Sequence, residues 1–181
     1  MSPATEMNRF LMDVENRAFR MAELAVGNRD DAMDIVQDTM LTLARKYAKR
    51  PTTEWRPLFF RILQNRITDC YRRRASSNRL FSFFSSFRND EGEVVDVAAL
   101  QPGPAADEPE QRTVIDGASD EVDRALAELP PRQRQAFLLR SWEGLSVAET
   151  AAAMKCSEGS VKTHYSRAVG RLREALGAHW P

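Results

Sequence analysis

The chain of 181 residues is long enough for one medium-sized domain or two small ones. No stretch approaches the roughly 20 apolar residues that a membrane-spanning helix needs, and the N-terminus lacks the basic run and apolar core of a signal peptide. The 26 basic and 26 acidic residues cancel, so net charge by itself indicates no partner. Cys70 and Cys156 show no CxxC spacing, and we expect reduced, buried thiols in a soluble cytoplasmic protein.

The charges are segregated along the chain. Between Arg45 and Arg74 there are ten Lys or Arg residues against two acids, a net charge of +8. Between Asp90 and Asp123 there are eleven acids against one arginine, a net charge of −10. This separation predicts a basic binding surface followed by an acidic connector.

Residues 1–75 predict a small domain of three or four helices. Gly27 ends the first apolar stripe, aspartates suited to a helix N-terminus open the second at residues 30–47, and the third covers residues 54–74. Pro57 is compatible with the third helix only in its first turn. The residues predicted to face the core are Phe10, Val14, Ala18, Met21 and Ala25 in the first helix, Met33, Val36, Met40, Leu43 and Tyr47 in the second, and Phe59, Ile62, Leu63, Ile67, Cys70 and Tyr71 in the third.

Residues 76–118 lose the helical period and are rich in Ser, Gly, Pro and acids, which is typical of a flexible linker. Within them, the segment LFSFFSSF at residues 80–87 is too apolar for a simple solvated tether. It could dock on its own domain or on a partner, and the sequence does not decide between these alternatives.

Residues 119–181 predict a second helical domain. Ser119 suits the N-cap of a helix that Pro130 and Pro131 end, and another helix follows as far as Gly144, a residue suited to a left-handed helix end. The domain is thus roughly sixty residues long, within the size range of small independent domains.

The next segment has the pattern of a helix-turn-helix. Ser146 and Glu149 have the spacing of a capping box at the start of a short, alanine-rich helix. Residues 155–157 break the chain, and Ser157 can cap the longer helix that follows. In a helix-turn-helix, the first helix braces the second, which fits the major groove of DNA.

The longer helix has two different faces. Its apolar stripe, which predicts packing against the domain, consists of Val161, Tyr165, Ala168, Leu172 and Leu176. The opposite face consists of Lys162, Thr163, Ser166 and Arg167, with Gly170 one turn further and His164 and Arg171 at its flanks. A solvated surface would explain such a face, but its position directly after a helix-turn-helix break favours contact with DNA.

An outward stripe on the second helix of the first domain also indicates a binding surface. It consists of Asp34, Gln37, Asp38 and Leu41. Single exposed leucines are common on protein surfaces. A leucine amid carboxylates nevertheless suits a docking surface for a basic partner with a hydrophobic centre.

The third helix carries another outward stripe. It consists of Leu58, Arg61, Asn65, Thr68 and Arg72, with Asp69 beside it and Arg73 and Arg74 after it. Asn and Thr can hydrogen-bond bases, and arginines hold phosphates. Trp55 at the start of this helix has two interpretations, stacking on an unpaired base or packing between helices.

Three segments, in order, resemble parts of the bacterial sigma-70 family of RNA polymerase sigma factors. The segment DDAMDIVQDTMLTLAR resembles the family's helix that binds core polymerase, and WRPLFFRILQNRITDCYRRR resembles the family's helix that faces the −10 promoter element. The stretch of this chain that begins ALAELPPRQRQAF and ends VGRLREAL resembles the family's C-terminal domain, which binds the −35 element. These segments cover about 125 of the 181 residues, and with only two domains and a linker the chain is similar to the extracytoplasmic-function (ECF) subgroup.

The resemblance implies an all-α fold with two small helical domains joined by a flexible acidic linker, the C-terminal one a helix-turn-helix. It implies a sigma factor that directs core polymerase to specific promoters through −35 recognition and −10 melting. The implied partners are core RNA polymerase, through its β′ clamp helices and β subunit, and promoter DNA, double-stranded at −35 and single-stranded at −10. Many relatives are also held inactive by an anti-sigma factor, although this sequence names none. The family implies no catalytic residue, cofactor, metal or membrane partner.

The resemblance also implies which residues bind each partner. The core-polymerase-binding residues are Asp34, Gln37, Asp38 and Leu41. The −10 DNA-binding residues are Trp55, Arg61, Asn65, Asp69, Arg72 and Arg73. The −35 DNA-binding residues are Lys162, Thr163, His164, Ser166, Arg167 and Arg171.

The loop before the −10 helix departs from the family pattern. In the family a longer loop, often with a glycine, captures a base flipped out of the duplex, whereas this chain has the compact KRPTTEW. Extruding a base costs a few kcal/mol unless a pocket receives it. The sequence therefore assigns no base pocket to Lys49–Trp55.

Two other classes of protein fit less well. A free-standing helix-turn-helix regulator would need a dimer interface, but the sequence has no coiled-coil heptads. This hypothesis would also leave the Asp34–Leu41 stripe without a role. An enzyme would need a catalytic motif, and the chain has no phosphate-binding glycine loop and no HExxH. Its two histidines, His164 and His179, have no evident nucleophile partner.

Overall fold

All regular secondary structure that the structure describes is helical. The computed structural model of the chain describes residues 3–76 and 117–177, which belong to two separate compact units. The all-α prediction is confirmed for these residues. The apolar segment 80–87 and nearly all of the predicted linker lie outside them. No described helix is long and apolar enough to cross a bilayer.

The described residues of the first unit form three helices that pack on one another: α1 (Pro3–Val26), α2 (Arg29–Tyr47) and α3 (Thr52–Ser76). Gly27 ends α1 as predicted, with a φ of 67° that a residue with a side chain rarely adopts. Asn28 then caps α2, because its side-chain oxygen accepts a hydrogen bond from the backbone N–H of Asp31 at 2.9 Å.

The buried face of α2 is rotated from the predicted one. Val36 and Leu43 are buried as predicted, but Met33 is 43% exposed, so its assignment to the core was wrong. The face that α1 and α3 cover consists of Ala32, Ile35, Val36, Thr39 and Leu43. Thr39 tolerates full burial because its hydroxyl donates to the Ile35 carbonyl at 2.7 Å.

Helix α3 begins two residues earlier than predicted, at Thr52. Pro57 therefore lies in the second turn, and its predicted place in the first turn was wrong. Proline lacks the N–H that would have donated to the Thr53 carbonyl, and water can serve that carbonyl because Thr53 is exposed. The residues of α3 that are buried are Trp55, Phe59, Phe60, Leu63, Gln64, Ile67 and Cys70, while the predicted Ile62 and Tyr71 are half-buried.

The C-terminal end of α1 depends on side chains from α3. The last turn of α1 contains no basic residue of its own. The Tyr71 hydroxyl donates to the Ala25 carbonyl, and one Arg74 nitrogen donates to the Val26 carbonyl at 2.7 Å. The other Arg74 nitrogen pairs with the Asp31 carboxylate of α2. These contacts satisfy carbonyls that a helix end leaves unpaired, and they connect all three helices.

Over residues 117–177, the second unit contains four α-helices: α4 (Gly117–Glu128), α5 (Pro131–Phe137), α6 (Val147–Met154) and α7 (Glu158–Leu176). Helix α4 begins before Ser119, so the predicted N-cap at that residue was wrong. Helix α5 begins at Pro131 as predicted and continues into a π-helical turn, Leu138–Trp142. Gly144 follows this turn with a φ of 66°, in the predicted left-handed conformation.

Removal of the Tyr71 hydroxyl should destabilise the first unit. Tyr71→Phe keeps the ring but leaves the Ala25 carbonyl without this donor, and we expect the free energy of unfolding to fall by about 0.5–1.5 kcal/mol. Urea unfolding of the full chain, monitored by amide hydrogen exchange in peptides from α3, measures the change in the free energy of unfolding. Arg73→Ala is the matched control, because that side chain is exposed and makes no hydrogen bond with any described residue. Equal effects of the two substitutions would contradict the capping role.

Candidate nucleic-acid interface

The helix-turn-helix forms from local contacts that the sequence predicts. The Ser146 hydroxyl accepts from the Glu149 N–H at 3.1 Å, and the Glu149 carboxylate accepts from the Ser146 N–H at 2.8 Å. This reciprocal pair is the predicted capping box. Lys155 then adopts a left-handed conformation with a φ of 54° and ends α6. The Ser157 hydroxyl accepts from the Ser160 N–H at 3.1 Å and caps α7 as predicted.

The apolar stripe of α7 fixes this helix in the unit. The stripe residues that are buried are Val161, Ala168, Leu172 and Leu176. Tyr165, the remaining member, is half-buried and lies 6.1 Å from the Phe137 ring in a stacked arrangement. Its hydroxyl lies 3.1 Å from the Ser141 hydroxyl, and the Arg140 guanidinium lies 5.9 Å from its ring centre. These contacts set the rotation of α7 about its own axis and therefore which face points outward.

Three arginines of this unit are committed to backbone carbonyls. Arg132 donates to the Met154 carbonyl at the end of α6, at 2.7 Å. Arg134, which is 8% exposed, donates to the Ala127 carbonyl near the end of α4. Arg140 donates to the Leu145 carbonyl at the entry to the helix-turn-helix. Their charges maintain the fold.

The outward face of α7 is different. Its exposed side chains make no hydrogen bond or ion pair with any described residue; they are Lys162, Thr163, Ser166, Arg167 and Arg171. His164, the sixth predicted −35 residue, is half-buried at the edge of this face. The structure thus brings five of the six residues onto one open, basic surface.

The outward face of α2 is also open. The exposed residues that form it are Asp34, Gln37, Asp38 and Leu41. Leu41 is 49% exposed, and the side chains of Asp34 and Asp38 make no ion pair with any described residue. An exposed apolar side chain thus lies one turn beyond Asp38, a carboxylate without an ion pair in the described residues, as the sequence predicts.

The predicted −10 residues on α3 divide into two groups. Arg61 and Arg73 are exposed without side-chain partners in the described part of the chain, and Asn65 is half-buried. Arg72 and Asp69 are exposed and form a loose ion pair of 3.9 Å. A loose, exposed pair contributes little and can be exchanged for a phosphate contact.

Trp55 does not belong to this surface. Its side chain is 2% exposed, its ring centre lies 5.9 Å from that of Phe10, and its indole N–H donates to the Tyr47 carbonyl at 3.2 Å. A base cannot stack on a ring buried in this way, so the packing interpretation of Trp55 is the correct one.

A groove between α2 and α3 connects the two surfaces of the first unit, and the sequence did not predict it. Its volume is about 720 Å³, and its lining residues are Asp31, Asp34, Ile35, Gln37, Asp38, Arg66, Asp69, Cys70, Arg73 and Arg74. Arg66 donates to the Thr42 hydroxyl at 3.3 Å across it. The groove places Asp34 and Asp38 of one predicted site beside Asp69 and Arg73 of the other. No signal in either helix alone could reveal this, because the two segments are about thirty residues apart.

The two cysteines differ in burial. Cys70, at the base of the groove, is buried, and burial raises the pKa of its thiol. A thiol with a raised pKa is a poor nucleophile near neutral pH. Cys156, in the turn before α7, is only half-buried, so the prediction of two buried thiols holds for Cys70 alone.

Comparison with known proteins identifies both units. Residues 7–77 match the family described as "Sigma-70 region 2", and residues 119–172 match "Sigma-70, region 4". The chain is 32% identical to the RNA polymerase sigma-E factor of Streptomyces coelicolor, over 98% of this chain and 90% of that protein. It is 30% identical to the ECF RNA polymerase sigma factor SigM of Mycobacterium tuberculosis, over 87% of this chain and 70% of that protein.

A solved structure supports the same assignment. The sigma factor RpoE from Bartonella quintana, in complex with the anti-sigma factor NepR, is 25% identical to this chain with a TM-score of 0.57. The similarity covers 93% of this chain and 96% of that one. The family matches and the relatives together confirm the predicted family. The chain belongs to the sigma-70 family, as an RNA polymerase sigma factor of the ECF subgroup.

Proposed function

We propose that this sigma factor reads the −35 element with the outward face of α7, holds the single-stranded −10 element on α3, and docks on core polymerase through α2. We accordingly assign polymerase and −10 binding to residues 1–75, −35 binding to residues 119–181, and the connection between them to residues 76–118. The observation that carries the proposal is the contrast among basic side chains. In the second unit, Arg132, Arg134 and Arg140 bond to backbone carbonyls, while the basic residues on the outward face of α7 make no such bonds within the described part of the chain.

The −35 assignment follows from the shape and chemistry of α7. An α-helix with its side chains is about 10–12 Å across, and the major groove of B-DNA is about 12 Å wide. Arg167 and Lys162 are suited to guanine, and Thr163 and Ser166 can bond to several base edges. The buried stripe on the opposite side of α7 holds this face outward without the help of the DNA-binding residues.

The −10 assignment rests on Arg61, Asn65 and Arg73, which are accessible on one helix. An amide can bond to the edge of an unpaired base, while guanidinium groups bind the phosphates on either side. Trp55 is excluded from this role by its burial. Bases of the melted strand are therefore held by hydrogen bonds and phosphate contacts rather than by stacking on Trp55.

The polymerase assignment rests on charge and apolar character together. Asp34 and Asp38 suit a basic partner surface, and Leu41 supplies the apolar contact that dominates many interfaces. We infer that the β′ clamp helices and the β subunit of polymerase are the partners, and that the protein works in the cytoplasm beside the chromosome. Sigma factors are not enzymes, and on this proposal the chemistry of transcription belongs to polymerase.

An anti-sigma factor is a further proposed partner. The Bartonella quintana sigma factor was solved with its anti-sigma factor NepR. A protein that covered the Asp34–Leu41 face of this chain would compete directly with polymerase.

Transcription in vitro tests the whole proposal. Purified bacterial core polymerase is incubated with a pool of genomic promoter fragments, with and without this protein. We expect initiation at discrete sites that share two spaced sequence elements only when the protein is present. Sequence-specific DNA binding by the protein alone, without initiation, would instead establish a free-standing helix-turn-helix regulator.

Truncation of Leu41 should weaken polymerase binding. Leu41→Ala removes the apolar centre of the α2 face, and we expect core polymerase to bind about 5–30-fold more weakly, a loss of roughly 1–2 kcal/mol. Competition for core polymerase with a labelled wild-type chain measures this affinity. Met12→Ala is the matched control, because Met12 is an apolar residue of α1 that is 75% exposed. If both variants bind as well as the wild type, Leu41 is not at the interface.

Arg167→Ala should relax promoter recognition at one base pair. We expect a loss of roughly 1–3 kcal/mol at one −35 position, because a bidentate contact to a base edge is removed. Initiation by the reconstituted holoenzyme on promoters with each −35 base changed in turn measures the preference. Arg124→Ala, at an exposed arginine of α4, provides the control. A uniform loss across all sequences would show that Arg167 contacts only phosphate.

A further inference from the structure

The outward face of α7 contains a glycine that the fold does not require. Gly170 lies inside a regular helix, and its φ is not positive, unlike those of Gly144 and Gly177. A Cβ added at Gly170 would meet no atom within 4 Å outside the local helix backbone. Glycine is the poorest helix former after proline. Neither the backbone nor the packing of the chain therefore explains this residue.

Gly170 lies on the same line of the helix as the proposed base-reading residues. Gly170 is seven positions after Thr163, and at about 100° per residue this rotation is only about 20° short of two full turns. Gly170 also lies about 180° from the buried Val161 by the same count. It therefore points away from the body of the unit, in the direction of Thr163.

The distance along the helix places Gly170 at the edge of a bound major groove. Seven residues at about 1.5 Å each separate it from Thr163 by roughly 10 Å, and the groove is about 12 Å wide. Since the N-terminal part of a recognition helix contacts base edges, the sugar-phosphate backbone that bounds the groove passes near Gly170.

Two neighbouring charges are consistent with this position. Arg171 is exposed without a partner in the described residues and suits a phosphate. Glu174, one turn beyond Gly170, is exposed and would repel a phosphate. A strand bound beside Gly170 would therefore leave the helix between these two residues.

We propose that Gly170 is a close-approach site for the DNA sugar-phosphate backbone. The absence of a side chain lets the strand lie against α7, and this brings a phosphate within reach of Arg171. The inference rests on the proposed −35 role of α7 and adds a steric contact to it. Glycine weakens the helix in the free protein, and the close contact compensates when DNA is bound.

Enlarging this residue separates the stability of the chain from its DNA affinity. Gly170→Ala should raise the melting temperature by roughly 2–6 °C, because alanine is the better helix former. The same change should weaken holoenzyme binding to a −35 promoter duplex by about 3–10-fold, and Gly170→Gln should weaken it further. For each variant, the loss of affinity should be the same on every −35 sequence, since contacts to the DNA backbone do not distinguish bases. A loss of affinity with a gain in stability cannot be attributed to misfolding.

A matched control comes from the same helix. Ala175 is exposed and lies about 140° around α7 from Gly170. Ala175→Gln introduces the same side chain as Gly170→Gln and should leave the affinity of the holoenzyme within about twofold of the wild type, because it points away from the DNA.

Three results would overturn the inference. If both Gly170 variants keep wild-type affinity while the melting temperature rises, no strand approaches this residue. If their loss is confined to one −35 base pair, the contact is to a base and not to the backbone. If the wild-type holoenzyme does not depend on the −35 sequence, the proposed function of α7 fails and the inference fails with it; only this third result affects the proposed function.

Discussion

The structure depends on hydrogen-bond donors for the backbone carbonyls at the C-terminal ends of its helices. The C-terminal end of an α-helix leaves four carbonyls without a partner in the helix. In the first unit, Tyr71 and Arg74 serve the end of α1. In the second, Arg132 and Arg134 serve α6 and α4. A charged donor makes such bonds stronger, about 1.5–3 kcal/mol each.

This requirement also divides the basic residues by function. Arg73 and Arg74 are adjacent in the sequence, yet Arg74 is bonded to α1 and α2 while Arg73 has no side-chain partner in the described residues. The same division separates Arg132 from Arg167 in the second unit. Arginines that maintain the fold cannot move to a ligand without loss of stability, whereas the others remain available to a ligand without altering the fold.

The sequence predicts the helix-turn-helix well because its signals are local. The capping box of Ser146 and Glu149, the break at residues 155–157 and the Ser157 cap all form between residues no more than a few positions apart. The apolar stripe of α7 is likewise set by its own period. Four of its five members are buried, and the outward face follows from them.

The errors in the prediction have two sources. Some contacts join residues that are distant in the sequence, and some buried residues are of a polar type. Met33 was assigned to the core of α2, but the buried face includes Thr39, a polar residue whose hydroxyl bonds to its own helix. The burial of Trp55 depends on the distant Phe10. The choice among neighbouring arginines depends on carbonyls up to 48 residues away. Helical periodicity contains no information about such partners.

The independence of the α7 outward face from the core has an evolutionary consequence. Since Lys162, Thr163, Ser166 and Arg167 contribute no intrachain hydrogen bond or ion pair in the described structure, substitutions among them should leave the fold nearly unchanged. Exposed positions of this kind usually alter stability by less than about 0.5 kcal/mol. On the proposed −35 role of α7, gene duplication followed by change at these few positions would redirect a copy of the protein to new promoters. Descendants that divide a genome among different sets of genes would still share one scaffold and one polymerase.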